Sequence, residues 1–425
     1  MRIVALAALA ACGGTPKYLG AELPSACSEG DVERCAGFMA ERDLIAGQLD
    51  VYTDARLRRY VQAVANRLAR GAYLAHPPRV VIGDHDGTYA AFGEQIVVGR
   101  RVIERLASEA ELAAIVAHEL VHLEGRHTSV SLFAPDADAA FLAARRDAEA
   151  VADERAVALL ELAGYMPGAM PRALAASIDG DDEEHPPRAE RLAAATALAG
   201  GRTDGFEGRA ELMRAIDGMI VGPNTRLGTR IDDTWVIAVL GVAIELRARD
   251  VAHVDGDALV IRNAKARFTA YPIGVAWARE LANDLLDSAH ATTALGPLAV
   301  GVAPLRSTRN EDQLSKLQHA VRDLLPQPAP GTWIVLLERP AGGLVVEISA
   351  STDDFTRDRW LSAMRAASKR ELAAAEPPRV VLHYATRPAK VAELVSVCPD
   401  ADYALLLDDP NRALAAGEPF KCTDR

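Results

Sequence analysis

The five residues His118-Glu119-Leu120-Val121-His122 constrain this chain more than any other stretch. In an α-helix, positions i and i+4 share a face, so both imidazoles of an H-E-x-x-H segment can reach one metal ion. A chain built around that pattern must present it as a helix. It must also bring a third ligand from another element, because one helix face cannot close a four-coordinate site. Zinc held by two His and a third protein ligand keeps one position for water, whose pKa falls to roughly 7. Glu119, next to the first His, is placed to manage that water's proton. Hydrolysis, usually of peptide bonds, is therefore the expected chemistry.

The flanking residues agree with a helix. Ser108-Glu109-Ala110-Glu111 reads as a capping box at the start, and Gly125 as a stop. Leu112, Ile115, Val116, Leu120 and Leu123 supply a broad apolar side, which predicts a helix over 109–124. A second helix is expected over 137–163, ended by Gly164 with Pro167 beyond it. It carries four candidates for the third ligand: Asp147, Glu149, Asp153 and Glu154. Glu149 and Asp153 are i,i+4 partners, so one could bind metal while the other orients a ligating His. Glu149 also has Arg145 four residues before it, an ordinary surface pair. Helix geometry alone does not choose among the four acids.

A family pattern does. Residues Glu109 to His127 resemble the zinc metallopeptidases of the CAAX-prenyl-protease and HtpX heat-shock-protease type, whose usual line is E-A-E-L-A-x-x-x-A-H-E-x-x-H followed by an Arg-His pair. Three later blocks resemble the same family in the same order: Glu149 to Asp153 (E-x-x-x-D), Ala163-Gly164-Tyr165-Met166-Pro167, and His185-Pro186 with Arg191. The resemblance is specific over 109–191 and looser from about Tyr52. It implies a gluzincin site with one zinc per chain held by His118, His122 and Glu149. It implies Glu119 as general base and proton donor, Asp153 as the support of a zinc-bound His, and His185 and Arg191 beside the oxyanion of the scissile carbonyl. His185 is also placed to occupy zinc's open position until substrate displaces it. One departure stands out. The family's Asn-Ala-Phe-Ala-like segment is Thr88-Tyr89-Ala90-Ala91-Phe92-Gly93 here, followed by Ile96-Val97-Val98 as the expected cleft-edge strand. Backbone pairing with an extended peptide survives that change.

The N-terminus bears on compartment. Met1-Arg2 and the apolar residues 3–11 form a signal-peptide pattern, too short to span a bilayer. Leu9-Ala10-Ala11-Cys12 resembles a bacterial lipoprotein box with acylation at Cys12, and Gly13 resembles outer-membrane sorting. The expectation is a protein lipid-anchored in the bacterial envelope and facing the periplasm. Four further cysteines, Cys27, Cys35, Cys398 and Cys422, are compatible with disulfides in an exported chain. Local pairing of Cys27 with Cys35 and of Cys398 with Cys422 is preferred, although sequence does not fix connectivity.

Length and charge set the remaining bounds. A chain of 425 residues suggests two or three domains, and a net charge of −12 with no evident basic cluster argues against nucleic acid as a partner. The partners expected are a polypeptide substrate and the membrane. The fold class expected is α+β: residues 12–40 a lipidated tether, 41–222 a mainly helical zincin-type peptidase domain with a short cleft-edge sheet, 223–297 a β-rich connecting region, and 298–425 a C-terminal α+β domain. In the peptidase region Leu57, Tyr60, Val61, Val64, Ala65 and Leu68 mark a helical stripe, and a last helix is expected over 211–219. Trp235 to Leu246 reads as one buried strand. From 298 the order strand, helix 311–325, strand, strand, helix 354–373, strand 379–383 is that of a ferredoxin-like split unit. His253, His290, His319 and His383 are isolated and read as structural. A chaperone or assembly factor that retains the peptidase fold is the alternative to an enzyme.

Overall fold

A computed structural model describes residues 17–18, 21–22, 51–72, 77–84, 87–91, 95–125, 139–178, 180, 185–222, 225–255, 258–263, 266–274, 290–293, 296–302, 333–349, 352 and 354–424. Cys12, Cys27, Cys35, the signal and lipidation residues, Phe92-Gly93, Arg126-His127 and the expected helix 311–325 lie outside the described residues. The chain is a mixture of helix and sheet and divides into two compact units. One is Val51–Pro223 together with Pro377–Arg425, and the other holds Asn224–Glu376.

Among the described residues, the Val51–Pro223 part of the first unit has seven helices: α1 (Ala55–Gly71), α2 (Arg100–Arg105), α3 (Glu109–Glu124), α4 (Ala139–Leu162), α5 (Ala169–Ser177), α6 (Arg188–Ala199) and α7 (Arg209–Ile216). Asp54 starts α1 by accepting hydrogen bonds from the amides of Arg56 and Leu57. Its stripe Leu57, Val61, Val64, Ala65 and Leu68 is buried in the core as the 3.6-residue period requires. Helix α3 is buried on every side from Glu109 to His122, which is the burial expected of a helix at the centre of a core. Ser108 caps it by accepting from the Glu111 amide, but Glu111 turns its carboxylate to the Ala107 amide, so the capping box forms only on one side. Gly125 ends α3 in a right-handed conformation that any residue could adopt, whereas Gly164 takes φ +72 beyond α4, the left-handed stop a glycine favours.

Beside α3 lies a three-stranded sheet, β1 (Arg79–Gly83), β3 (Gln95–Gly99) and β2 (Thr88–Ala91) in that spatial order. Strand β1 runs parallel to β3 and β2 antiparallel to it. This corrects the expected cleft edge. Ile96-Val97-Val98 is the buried central strand with both sides paired, and among the described residues the strand paired on one side only in front of α3 is Thr88–Ala91.

The expected domain 298–425 is divided between the two units. Residues 377–425 do not continue a separate C-terminal domain. Val380 and Leu407 enter the same core as α1 and α3, and strand Val380–Tyr384 pairs with Pro419–Thr423. Backbone bonds from Val380 to Met219 and from Val221 to Pro378 fasten this segment to the end of the helical region. A disulfide joins Cys398 to Cys422, the local pairing that sequence favoured.

The unit Asn224–Glu376 differs from a ferredoxin-like split unit. Among its described residues a seven-stranded sheet runs from His290–Thr293 at one edge to Val251–Asp255 at the other, and Gly296–Val302 pairs directly and antiparallel with Trp333–Arg339, whereas a split unit keeps another strand between those two. Arg267–Ile273 pairs with Gly342–Ile348, so one sheet crosses the boundary expected at 297. Trp235–Leu246 is a hairpin rather than one strand, because Gly241 adopts φ +65 and turns the chain between Thr234–Ile237 and Val242–Glu245. The expected helix 354–373 breaks into Asp354–Ala363, strand Met364–Ala366 and Lys369–Ala374, the strand pairing with Val242–Glu245.

Candidate metal centre

Helix α3 points His118 and His122 the same way, one turn apart, and α4 brings Glu149 to meet them. Their Nε2 atoms are 3.0 Å apart. Glu149 Oε2 lies 3.1 Å from His118 Nε2, and Glu149 Oε1 lies 3.1 Å from His122 Nε2. All three side chains are buried or nearly so. This is the one grouping of three or more possible ligands among the described residues. Asp147 and Glu154 do not join it.

The supporting contacts differ between the two acids that α4 contributes. Asp153 Oδ1 is 2.9 Å from His118 Nδ1, the far side of the ring from the cluster. A carboxylate there favours the proton on Nδ1 and leaves Nε2 with a lone pair. That lone pair then faces Glu149 Oε2, which is buried without a well-aligned hydrogen-bond donor. Acceptors packed about 3 Å apart repel unless they share a cation. Ligands on a tetrahedral zinc at about 2.0–2.1 Å stand about 3.3 Å from one another, close to the spacings here. The donor set of two imidazole nitrogens and a carboxylate fits zinc.

The electrostatics follow the same geometry. Burial disfavours charge on His118, but Asp153 and Glu149 outweigh it and its pKa is pushed up to about 10. Burial also opposes the charge on Glu149, and the two imidazoles hold its carboxyl far below the usual range. Asp153 is likewise held low, against its burial, by Arg191 and His118. Without a metal the cluster therefore keeps a proton where the ion would sit.

Glu119 is buried between the two His on the same helix, and its charge acts on His118 and Arg191. His185 comes from the stretch before α6, where Pro186 and Pro187 set the helix entry. Its Nε2 is 3.7 Å from Glu149 Oε1 and its side chain is about a third exposed, so it sits on the open side of the cluster. Arg191 is engaged by the two acids of α4. Its Nε and Nη2 donate to the two oxygens of Asp153, both at 2.8 Å, and Nη2 lies 3.4 Å from Glu149 Oε2. A buried guanidinium clamped in this fork holds ligands in place more directly than it could meet a substrate carbonyl.

Two acids of α3 that sequence treated only as capping residues anchor the metal helix. Glu109 accepts hydrogen bonds from the hydroxyls of Tyr60 and Tyr165, each at 2.8 Å. Glu111 accepts from Arg172 Nε at 2.8 Å as well as from the Ala107 amide. The signal for both was present in the E-A-E-L line, since a helix buried all round has no use for two acids unless each is bonded.

Two helices that converge two imidazoles and one carboxylate, with a glutamate beside the first His, define a metal-dependent hydrolase site. Residues 55–144 match the model of peptidase family M48, a family of zinc metallopeptidases, and this domain supports a metallopeptidase function. The matched stretch holds His118, Glu119 and His122, while Glu149, Asp153, His185 and Arg191 lie beyond it. No curated protein matches the chain.

Proposed function

We propose that this chain is a zinc-dependent metalloendopeptidase, anchored in the outer membrane by lipid on Cys12, facing the periplasm, and acting on unfolded or misassembled envelope proteins. The observation that carries the catalytic part is the approach of His118, His122 and Glu149 to about 3 Å from one another around a common point. The compartment and substrate class are supported by the signal and lipobox pattern of residues 1–12 and by the family resemblance. Among the described residues no helix is long and apolar enough to cross a membrane.

The division of labour follows from position. His118, His122 and Glu149 would hold the ion, with Asp153 and Arg191 fixing the ring of His118 and the charge behind Glu149. Bound zinc supplies Lewis acidity at the scissile carbonyl and a water ionisable near neutral pH. Glu119 takes the proton onto its carboxylate and returns it to the departing amide nitrogen. His185, partly exposed at the mouth, donates from Nε2 to the carbonyl oxygen as charge develops there. An extended peptide pairs through its backbone with the outer side of Thr88–Ala91, a mode that needs no particular side chain from that strand.

Cleavage of casein, compared between wild type and Glu119→Gln, tests this reading. Loss of the carboxylate should lower turnover by roughly 10²–10⁴-fold while zinc stays bound. Equal cleavage by both proteins would refute it.

A further inference from the structure

We propose that the C-terminal segment 377–425 is a clamp on the metal helix, with Lys421 as its positioning residue, so that the metal site reaches its working geometry only when the last part of the same chain has docked. This inference rests on the metallopeptidase reading above.

The C-terminal segment is fastened at the joint between α2 and α3. Leu106, Ala107 and Ser108 connect the two helices and are all buried. The last carbonyls of a helix lack partners inside it, and buried carbonyls need donors from elsewhere. Here the donors come from far along the chain. Lys421 is fully buried, and its Nζ donates to the carbonyls of Glu104 at 2.7 Å, Leu106 at 2.6 Å and Leu407 at 2.7 Å. An ammonium has three hydrogens, and all three are used, in three directions. Two of the acceptors belong to the end of α2 and the joint, and the third ends the helix Ala401–Leu407.

A second tie reaches the same point. Arg209, at the start of α7, donates to the Ala107 carbonyl at 3.3 Å, to Asp408 Oδ2 at 2.9 Å and to the Pro419 carbonyl at 2.8 Å. The Ala107 amide is in turn bound by Glu111. Tyr403 places its hydroxyl 3.5 Å from Glu104 Oε1. Lys421 itself is held on both sides: its strand pairs with Val380–Tyr384, and its neighbour Cys422 is bonded to Cys398.

The joint is where leverage on the metal site is greatest. His118 is ten residues beyond Ser108, about 15 Å along the helix axis. A tilt of about 4° at the joint therefore displaces that imidazole by about 1 Å. Metal–ligand distances tolerate only about 0.2 Å. If Lys421 served only to hold the segment on the core, apolar packing would suffice, and a buried charge would be an expensive substitute. Its three oriented bonds fix an angle as well as a contact.

The test uses the full chain with Lys421→Met, loaded with Co²⁺ for its visible spectrum and with Zn²⁺ for affinity by chelator competition. Helix content by circular dichroism should match wild type. Zinc affinity should fall at least tenfold, and the cobalt bands should change in position or intensity, which a loss of stability alone would not produce. Arg365→Met, which breaks pairs with Glu245 and Glu371 in the other unit, should leave both readings unchanged. Should Lys421→Met not fold, Asp408→Asn loosens the second tie while keeping Lys421, and a shifted cobalt spectrum with at least threefold weaker zinc is expected. Wild-type affinity and spectrum in the folded variants, with only a lowered melting temperature, would overturn the proposal. If wild type itself binds neither ion, the metal-centre reading fails first and this inference falls with it.

Discussion

Replacing Asp153 by Asn probes the scaffold behind the metal ligands while changing almost no volume. In the native site the Asp153 carboxylate accepts two bonds from Arg191 at 2.8 Å and stands 2.9 Å from His118 Nδ1, at 3% exposure. Asn offers one acceptor oxygen where Asp offered two and carries no charge. Two effects follow, with separate magnitudes. The ring of His118 loses its orienting anion, and removing such a partner from a metal-ligating His costs about 10–100-fold in metal affinity. That corresponds to about 1.4–2.7 kcal/mol of binding free energy. Independently, Arg191 is left as a buried cation with half its fork unmatched. Breaking one side of a buried pair costs about 3–5 kcal/mol, and the oxygen that Asn retains points to the lower end. Chelator competition measures the first effect and urea unfolding of the metal-free protein the second. The combination Asp153→Leu with Arg191→Met, which removes both charges, should recover most of the lost stability but none of the metal affinity. Zinc affinity in Asp153→Asn within twofold of wild type would refute the assignment of Asp153 as the support of His118.

Further outcomes follow from the same geometry. Because His118 in the metal-free protein titrates near 10, zinc must displace a proton at neutral pH, so apparent affinity should rise about tenfold per pH unit between pH 7 and 9. A flat profile in isothermal titration would contradict this. The sign reverses for stability of the metal-free protein. A raised folded-state pKa contributes stability that is complete below about 6.5 and is lost as pH climbs through about 10, so its unfolding midpoint should fall over that window while the zinc-loaded protein shows no such loss. His185→Ala discriminates between two roles for an imidazole 3.7 Å from Glu149. A drop of about 10²–10³-fold in casein turnover fits a donor to the oxyanion, and a rise would mean that the ring blocks the site in the resting protein.

The metal centre was legible in the sequence because it depends on short-range periodicity. Residues four apart on a helix share a face whatever surrounds them, so His118 with His122 and Glu149 with Asp153 could be placed before any fold was known. The helix ends were readable for the same local reasons: Ser108 and Gly164 act where they stand. The four acids of α4 could not be ranked that way, since the choice depends on which turn of α4 faces α3. The motif pattern puts Arg191 on the substrate side, and nothing local in the sequence announces its bidentate pairing with Asp153. Long-range pairing was the least legible. Val380–Tyr384 has the alternation of a strand, but nothing local says that its partner is Pro419–Thr423 or that the pair joins the helical core. The apolar run around Gly241 reads as one strand because a single residue at positive φ leaves little trace in it. Lys421 lies in an unremarkable stretch, and a buried ammonium is recognisable only once its three carbonyls are seen together.

Elemental analysis of the purified full chain, paired with His118→Ala, tests the central claim most directly. Wild type should carry about one zinc per chain, removable by chelator, and the variant should retain none under the same conditions. Folded wild-type protein that binds no divalent metal, or a variant that keeps its zinc, would contradict it.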